Sequence, residues 1–216
     1  MPFIASLQYM QYIHSNLQTF FTGRHQLSVY VPDPAAIRDL YKQNNIDSPY
    51  WSQVWPAALG LCQFLEQNTG YIENKTVLEL AAGLGLPSLL AAHYSRSVHC
   101  SDYFPEAVAL QQHSIEHNQF SNMSCSVLDW NNIPDTVKAE VLLLSDVNYD
   151  PWTFDKVYET IHRFLNEGTL IILSTPQRLM AKPFIERLLP FCIRQEEVII
   201  NKDGKPVAIT VIILKS

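Results

Sequence analysis

The chain has 216 residues, 47% of them hydrophobic and 17% charged, with a formal net charge of −6. That apolar share supports a packed core of domain size and excludes a disordered, tail-like chain. The acidic balance argues against a protein that holds nucleic acid non-specifically on a basic face.

Residues 1–20 lack a basic segment followed by an apolar stretch, so no secretory signal is readable. The first 50 residues read as an extension to the main domain. They comprise a helix around Ala5–Phe20, a strand around Gln26–Val31, the turn-prone Pro32-Asp33-Pro34 and a second helix. This extension is expected to pack over the carboxyl end of the main sheet. Residues 51–216 form the main domain, which opens with a helix over Trp51–Gln67 whose Val54, Leu61 and Leu65 keep helical spacing.

From Thr76 onward, short β-branched runs alternate with helical patterns. Strands are predicted at Thr76–Leu80, Ser97–Ser101, Ser124–Leu128, Val141–Ser145 and Thr169–Ser174. Helices are predicted at Pro87–Tyr94, Pro105–His117 and Thr153–Leu165, the first two opening on prolines that need no N–H partner. Such alternation predicts five parallel strands with helices on both faces, which a terminal antiparallel pair completes to an α/β, Rossmann-like, mostly parallel sheet of seven. After a helix at Ala181–Leu189, the runs Gln195–Ile200 and Val207–Lys215 flank Asp203-Gly204, which predicts a closing antiparallel hairpin.

The four cysteines (Cys62, Cys100, Cys125 and Cys192) never fall in a CxxC, so they read as scattered thiols of a reducing compartment. The longest apolar runs, such as Val207–Leu214, are far short of the ~18 residues that cross a bilayer. The expectation is a cytoplasmic monomer without nucleic-acid or membrane partners. His113-Ser114-Ile115-Glu116-His117 has a spacing used by some zinc peptidases. It falls on a surface helix with no third ligand suggested, so it reads as a solvated face and no metal is expected.

Only 7 glycines occur, about 3% of the chain against a usual ~7%, yet Gly83 and Gly85 fall together. They lie in Val77-Leu78-Glu79-Leu80-Ala81-Ala82-Gly83-Leu84-Gly85-Leu86-Pro87, a buried strand, a small-residue turn and a helix start. Such a turn lets a ligand approach the backbone closely, at the sheet end where open α/β folds bind. Asp102 ends the next strand, 19 residues after Gly83, where a carboxylate can accept both hydroxyls of a ribose. Asp129-Trp130 ends the third strand, where carboxylate and ring could flank an adenine or Asp129 could cap the turn at Asn131-Asn132. Asp146 and Tyr149 follow the fourth.

The run Glu79-x-x-x-Gly83-x-Gly85 with Asp102, Asp129-Trp130 and Asp146-x-x-Tyr149 resembles a class I S-adenosyl-L-methionine-dependent methyltransferase. Pro49-Tyr50-Trp51-Ser52-Gln53-Val54-Trp55-Pro56 narrows the resemblance to the seven-β-strand protein-lysine methyltransferases called methyltransferase family 16. The resemblance covers roughly Ser48 to Ser174 and implies S-adenosyl-L-methionine as cofactor. By the same resemblance, Trp55 closes over the methionine portion, Glu79 orients the glycine turn, and Ala81, Gly83 and Gly85 approach methionine and ribose. Asp102 takes the ribose hydroxyls, Asp129 and Trp130 lie by the adenine, Ser145 lies beside the cofactor, and Asp146 and Tyr149 receive the acceptor. Trp51 and Trp152 could add to an aromatic wall for an approaching cation or simply pack. The family usually has glycine where this chain has Ala81, and an alanine is unstrained there only at negative φ.

The implied reaction is methyl transfer to an amine nitrogen, a protein lysine in first place. A small-molecule amine is the alternative acceptor, and a non-catalytic cofactor-binding scaffold is the alternative role. A lysine of pKa ~10.4 must first lose its proton, at a cost of about 4–5 kcal/mol at pH 7.

Overall fold

In a computed structural model, which describes residues 14–43 and 50–216, the strand–helix alternation closes into a seven-stranded sheet. Strands β1 (Ser15–Phe21) and β2 (Gln26–Pro32) form a separate antiparallel hairpin, followed by helix α1 (Pro34–Gln43). Helix α2 (Pro56–Gln67) precedes β3 (Thr76–Leu80), α3 (Leu86–Ala91), β4 (Ser97–Asp102), α4 (Pro105–Asn118) and β5 (Met123–Val127). Then come β6 (Val141–Ser145), α5 (Phe154–Asn166), β7 (Leu170–Pro176), α6 (Lys182–Leu188), β8 (Cys192–Lys202) and β9 (Lys205–Leu214).

The sheet order is β5-β4-β3-β6-β7-β9-β8. The first five strands run parallel, whereas β9 pairs antiparallel with both β7 and β8. Strand order reverses between β3 and β6, and a crevice at the carboxyl ends is the ligand position that such a reversal creates. Val141–Leu144 and Ile171–Leu173 are buried throughout, because helices cover both faces of the central strands. On one face α5 buries Val157, Ile161, Phe164 and Leu165, a helical stripe packed on Leu142, Leu144 and Leu173. On the other, α2 and α3 contribute Leu61, Phe64, Leu65, Leu86, Leu89 and Leu90 to a second cluster. The α2 backbone lies close to β9 at Gly60, where a Cβ would stand 2.8 Å from Ile209 Cγ2.

The N-terminal region departs from the sequence reading. Residues 15–20, expected within a helix, form β1, and the rest of that expected helix at residues 5–13 lies outside the described residues. Thr19, Phe20 and Phe21 favour an extended chain, and β2, with Leu27, Val29 and Val31 facing the core, supplies a strand partner. The hairpin lies against α4, while Tyr41 of α1, which contacts Phe104 and accepts from Trp51 Nε1, and Tyr50 lie by the carboxyl end of the sheet. Asn118 accepts from Ser28 N at 3.1 Å and donates to Ser28 O at 2.6 Å, and Ser114 Oγ accepts from Tyr30 N at 3.0 Å. These bonds satisfy groups that an uncovered edge strand would leave open. Tyr30 also meets the ring edges of His113 and His117, so both histidines contact the hairpin.

The expected helix Trp51–Gln67 starts only at Pro56. Trp55 is extended (φ −87°, ψ 153°), because a residue preceding proline is driven out of the helical region. Residues Tyr50–Ser52 instead make a single 3₁₀ turn.

Candidate active site

The carboxyl ends of β3, β4, β5 and β6 open onto one cleft of about 900 Å³. Of the residues singled out from sequence, Trp55, Ala81, Gly83, Gly85, Asp102, Asp129, Trp130, Ser145, Asp146 and Tyr149 line it. Glu79 does not; it lies beneath the wall, with no exposed surface.

The glycine turn is built on left-handed backbone. Gly83 has φ +56° and Gly85 φ +75°, conformations glycine adopts without strain. Ala81 also stands at +51°, so its methyl sits in the strained region, at a cost of about 1–2 kcal/mol. A side chain at Gly85 would face worse, since its Cβ would lie 2.8 Å from Cys100 Sγ.

Two buried carboxyl groups hold this turn. Asp102 Oδ2 accepts from Gly83 N at 2.8 Å, and Oδ1 accepts from Phe104 N at 3.0 Å. Burial pushes the Asp102 carboxyl up to about 6, and the Phe104 and Gly83 N–H groups oppose that rise. It is therefore mostly ionised at neutral pH, with its outer lone pairs still available. Glu79 Oε2 accepts from both the amide and the hydroxyl of Ser88, near the start of α3. Burial raises the Glu79 carboxyl to about 8 despite those bonds, so it is mainly protonated at pH 7. Gln111, which the sequence did not single out, donates from Nε2 to Gly83 O at 2.7 Å.

The tryptophans divide. Trp55 stands at the cleft, its Nε1 donating to Tyr50 O at 2.7 Å and Lys202 Nζ lying 5.5 Å from its ring. Trp51 is buried along the same wall, its Nε1 donating to Tyr41 OH at 3.2 Å. Trp152 is 94% exposed and does not line the cleft. Asp129 spends its carboxylate on the following turn, where Oδ1 accepts from Asn131 N at 2.8 Å and Oδ2 from Asn132 Nδ2 at 3.3 Å. Trp130, beside it, keeps its place on the wall.

On the β6 side, Asp146 adopts φ +56° and its N–H donates to Ser174 O at 2.9 Å. Tyr149 packs against Tyr50 with ring centroids 4.9 Å apart. Burial first, then the Asp102 charge, pushes the Tyr149 hydroxyl up to about 12, so it acts as a neutral hydrogen-bonding group rather than a base. Tyr50 and Arg178 also line this side and were missed from sequence. Arg178 grips Asp146 through both carboxylate oxygens.

Residues 26–190 match the sequence profile of a family described as lysine methyltransferase. Histone-arginine methyltransferase METTL23 of Mus musculus is 29% identical over 147 residues, 65% of this chain and 58% of its own. Protein-lysine methyltransferase METTL21E of Bos taurus is 30% identical over 157 residues, 67% of this chain and 54% of its own. The chain thus spans little more than half of either relative. The crystal structure of N-methyltransferase NodS from Bradyrhizobium japonicum WM9 superposes with a TM-score of 0.55 at 12% identity, covering 72% of this chain and 94% of that one. At that identity the likeness shows the fold alone. Among the described residues, no helix is long and apolar enough to cross a membrane.

Proposed function

The chain belongs to the lysine methyltransferase family, and on that premise we propose that it is an S-adenosyl-L-methionine-dependent N-methyltransferase acting on protein lysine. One observation carries the cofactor assignment. The Gly83 amide is pinned to the Asp102 carboxylate in a left-handed turn, at the strand-order reversal, on a cleft whose volume suits a nucleoside-sized ligand.

The residues present fit that cofactor. Asp102, with outer lone pairs left over, would accept the ribose hydroxyls, and Trp130 would face the adenine. Gly83 and Gly85 present bare backbone to the cleft in left-handed conformations that glycine adopts without strain, and Ser145 adds a hydroxyl at the neighbouring strand end. When bound, the cofactor supplies an electrophilic methyl group on a sulfonium.

The chain's part is to align the acceptor nitrogen, exclude water and favour the unprotonated amine. Tyr50 and Tyr149 form an aromatic wall on the acceptor side, which suits the apolar stem of a lysine and its cationic tip. Trp55, beside Tyr50, would close over the methionine portion of the cofactor. Tyr149, held neutral, offers a hydroxyl to orient the amine. Glu79, protonated beneath the floor, positions α3 and the glycine turn without adding charge beside a cationic cofactor. Water takes the amine proton, since Tyr149 keeps its own proton at neutral pH and offers no phenolate to receive another.

A second reading, protein arginine as acceptor, is favoured by the name of the mouse relative. Supplying labelled cofactor to a heat-treated cell extract separates these readings. Label in methyllysine of precipitated protein is expected. Label confined to the small-molecule fraction would transfer the assignment to a small amine. Cofactor binding without transfer to either fraction would leave the scaffold reading.

A further inference from the structure

Asp146 does not meet the cleft with a free carboxylate. Arg178 lies two residues past the end of β7, and its Nη1 donates to Oδ1 while its Nη2 donates to Oδ2, the second at 2.9 Å. The sheet explains the meeting. Ser145 of β6 is in register with Ser174 of β7, so residues leaving the two strand ends emerge side by side. The pair is largely withdrawn from solvent, with the Asp146 side chain 8% exposed and that of Arg178 28%.

A guanidinium held this way consumes the paired, in-plane face of a carboxylate, the one geometry in which two parallel N–H bonds form at once. The outer lone pair on each oxygen remains. A substrate arginine needs that same paired face to bind in its strongest mode. A lysine amine is a compact donor and needs only a single lone pair. Arg178 also compensates the Asp146 charge, which removes an influence that would otherwise hold the acceptor amine protonated.

We infer that Arg178 sets the acceptor class: by filling the paired face of Asp146 it closes the site to guanidinium and leaves it open to a lysine amine. The inference rests on the N-methyltransferase reading above. It also assigns a selectivity role to a residue outside the strand-end motifs. Negative selection of this kind works by denying the competitor its partner rather than by adding a contact to the preferred substrate.

The test uses the full chain with labelled S-adenosylmethionine in heat-treated cell extract, followed by acid hydrolysis and separation of methyllysine from methylarginine. Wild type should place its protein-bound label in methyllysine. Arg178→Met keeps a long stem but removes the fork, and should raise the methylarginine-to-methyllysine ratio about tenfold or more. Arg178→Lys, which cannot fork, should fall between the two. Cofactor affinity within about threefold of wild type shows that a variant has kept its site. If Arg178→Met loses that affinity, the ratio in Arg178→Lys decides. Label chiefly in methylarginine from wild type, or an unmoved ratio in a cofactor-binding variant, overturns the role of Arg178 and leaves the methyltransferase reading standing. Absence of protein-bound label from all three proteins overturns the protein-acceptor reading, and this inference with it.

Discussion

Two neighbouring strand ends, those of β3 and β6, meet the same cleft and solve the same problem by opposite means. Each ends on a non-glycine residue in left-handed backbone, Ala81 at +51° and Asp146 at +56°. After β3 the wall is bare backbone, and its shape is enforced from beneath by Asp102 and Glu79. After β6 the wall is side chain, held in place by the Asp146–Arg178 pair and the Tyr50–Tyr149 contact. A backbone wall suits a cofactor that the protein grips without reacting with it. A side-chain wall suits an acceptor whose identity must be chosen.

The largest effect should separate the two walls. Asp146→Ala is expected to lower methyl transfer by about a thousandfold while changing cofactor affinity less than about threefold, read by initial rates and calorimetry on the same preparation. A parallel loss of affinity would place Asp146 on the cofactor side and erase the distinction.

Gly85→Ala should break the backbone wall. The left-handed φ and the clash with Cys100 Sγ together predict a loss of about 2–4 kcal/mol in urea unfolding. Stability within about 0.5 kcal/mol of wild type would show that the turn can yield.

Next comes the buried Glu79. Its folded-state carboxyl, raised to about 8 from an ordinary 4.5, binds a proton that the unfolded chain has already lost. Its contribution to stability is therefore full below about pH 4.5 and disappears as pH rises through about 8. Asp102, raised to about 6 from 3.8, acts with the same sign over a lower window. Thermal denaturation between pH 5 and 8 should show stability falling with pH, and Glu79→Gln should flatten that slope. An unchanged slope in the variant would remove Glu79 from the explanation.

The smallest effect belongs to Ala81→Gly. Relief of the strained methyl should stabilise the chain by up to about 1 kcal/mol, a rise of ~2–4 °C in Tm. The same substitution at Asp146 should destabilise, because it releases Arg178 from its partner. If both glycines stabilise equally, the contrast between the walls is wrong.

The same contrast governs what was legible in the sequence. The backbone wall could be read directly, because glycines and a strand-terminal Asp102 carry their meaning in local spacing. The continuous apolar runs Val141–Leu144 and Thr169–Leu173 likewise announced central strands, and Asp203-Gly204 announced the terminal hairpin. Arg178 was not legible, since its partner lies 32 residues away and the two meet only because β6 and β7 are neighbours. Asp129 could be read two ways, and the side-chain bonds to Asn131 and Asn132 show it holding its own turn. Residues 15–20 misled because a strand paired only within a hairpin has too little alternation to outweigh a helical pattern. The late start of α2 was available in principle, because Pro56 disfavours helical backbone at Trp55.

Calorimetric titration of S-adenosylmethionine into wild type and Asp102→Ala, side by side, tests the central claim most directly. Wild type should bind at one site, and Asp102→Ala should bind about 30- to 100-fold more weakly, the loss of charge-assisted hydrogen bonds to ribose and to Gly83 N. No binding by folded wild type at millimolar cofactor, or equal affinity in the two proteins, would contradict it.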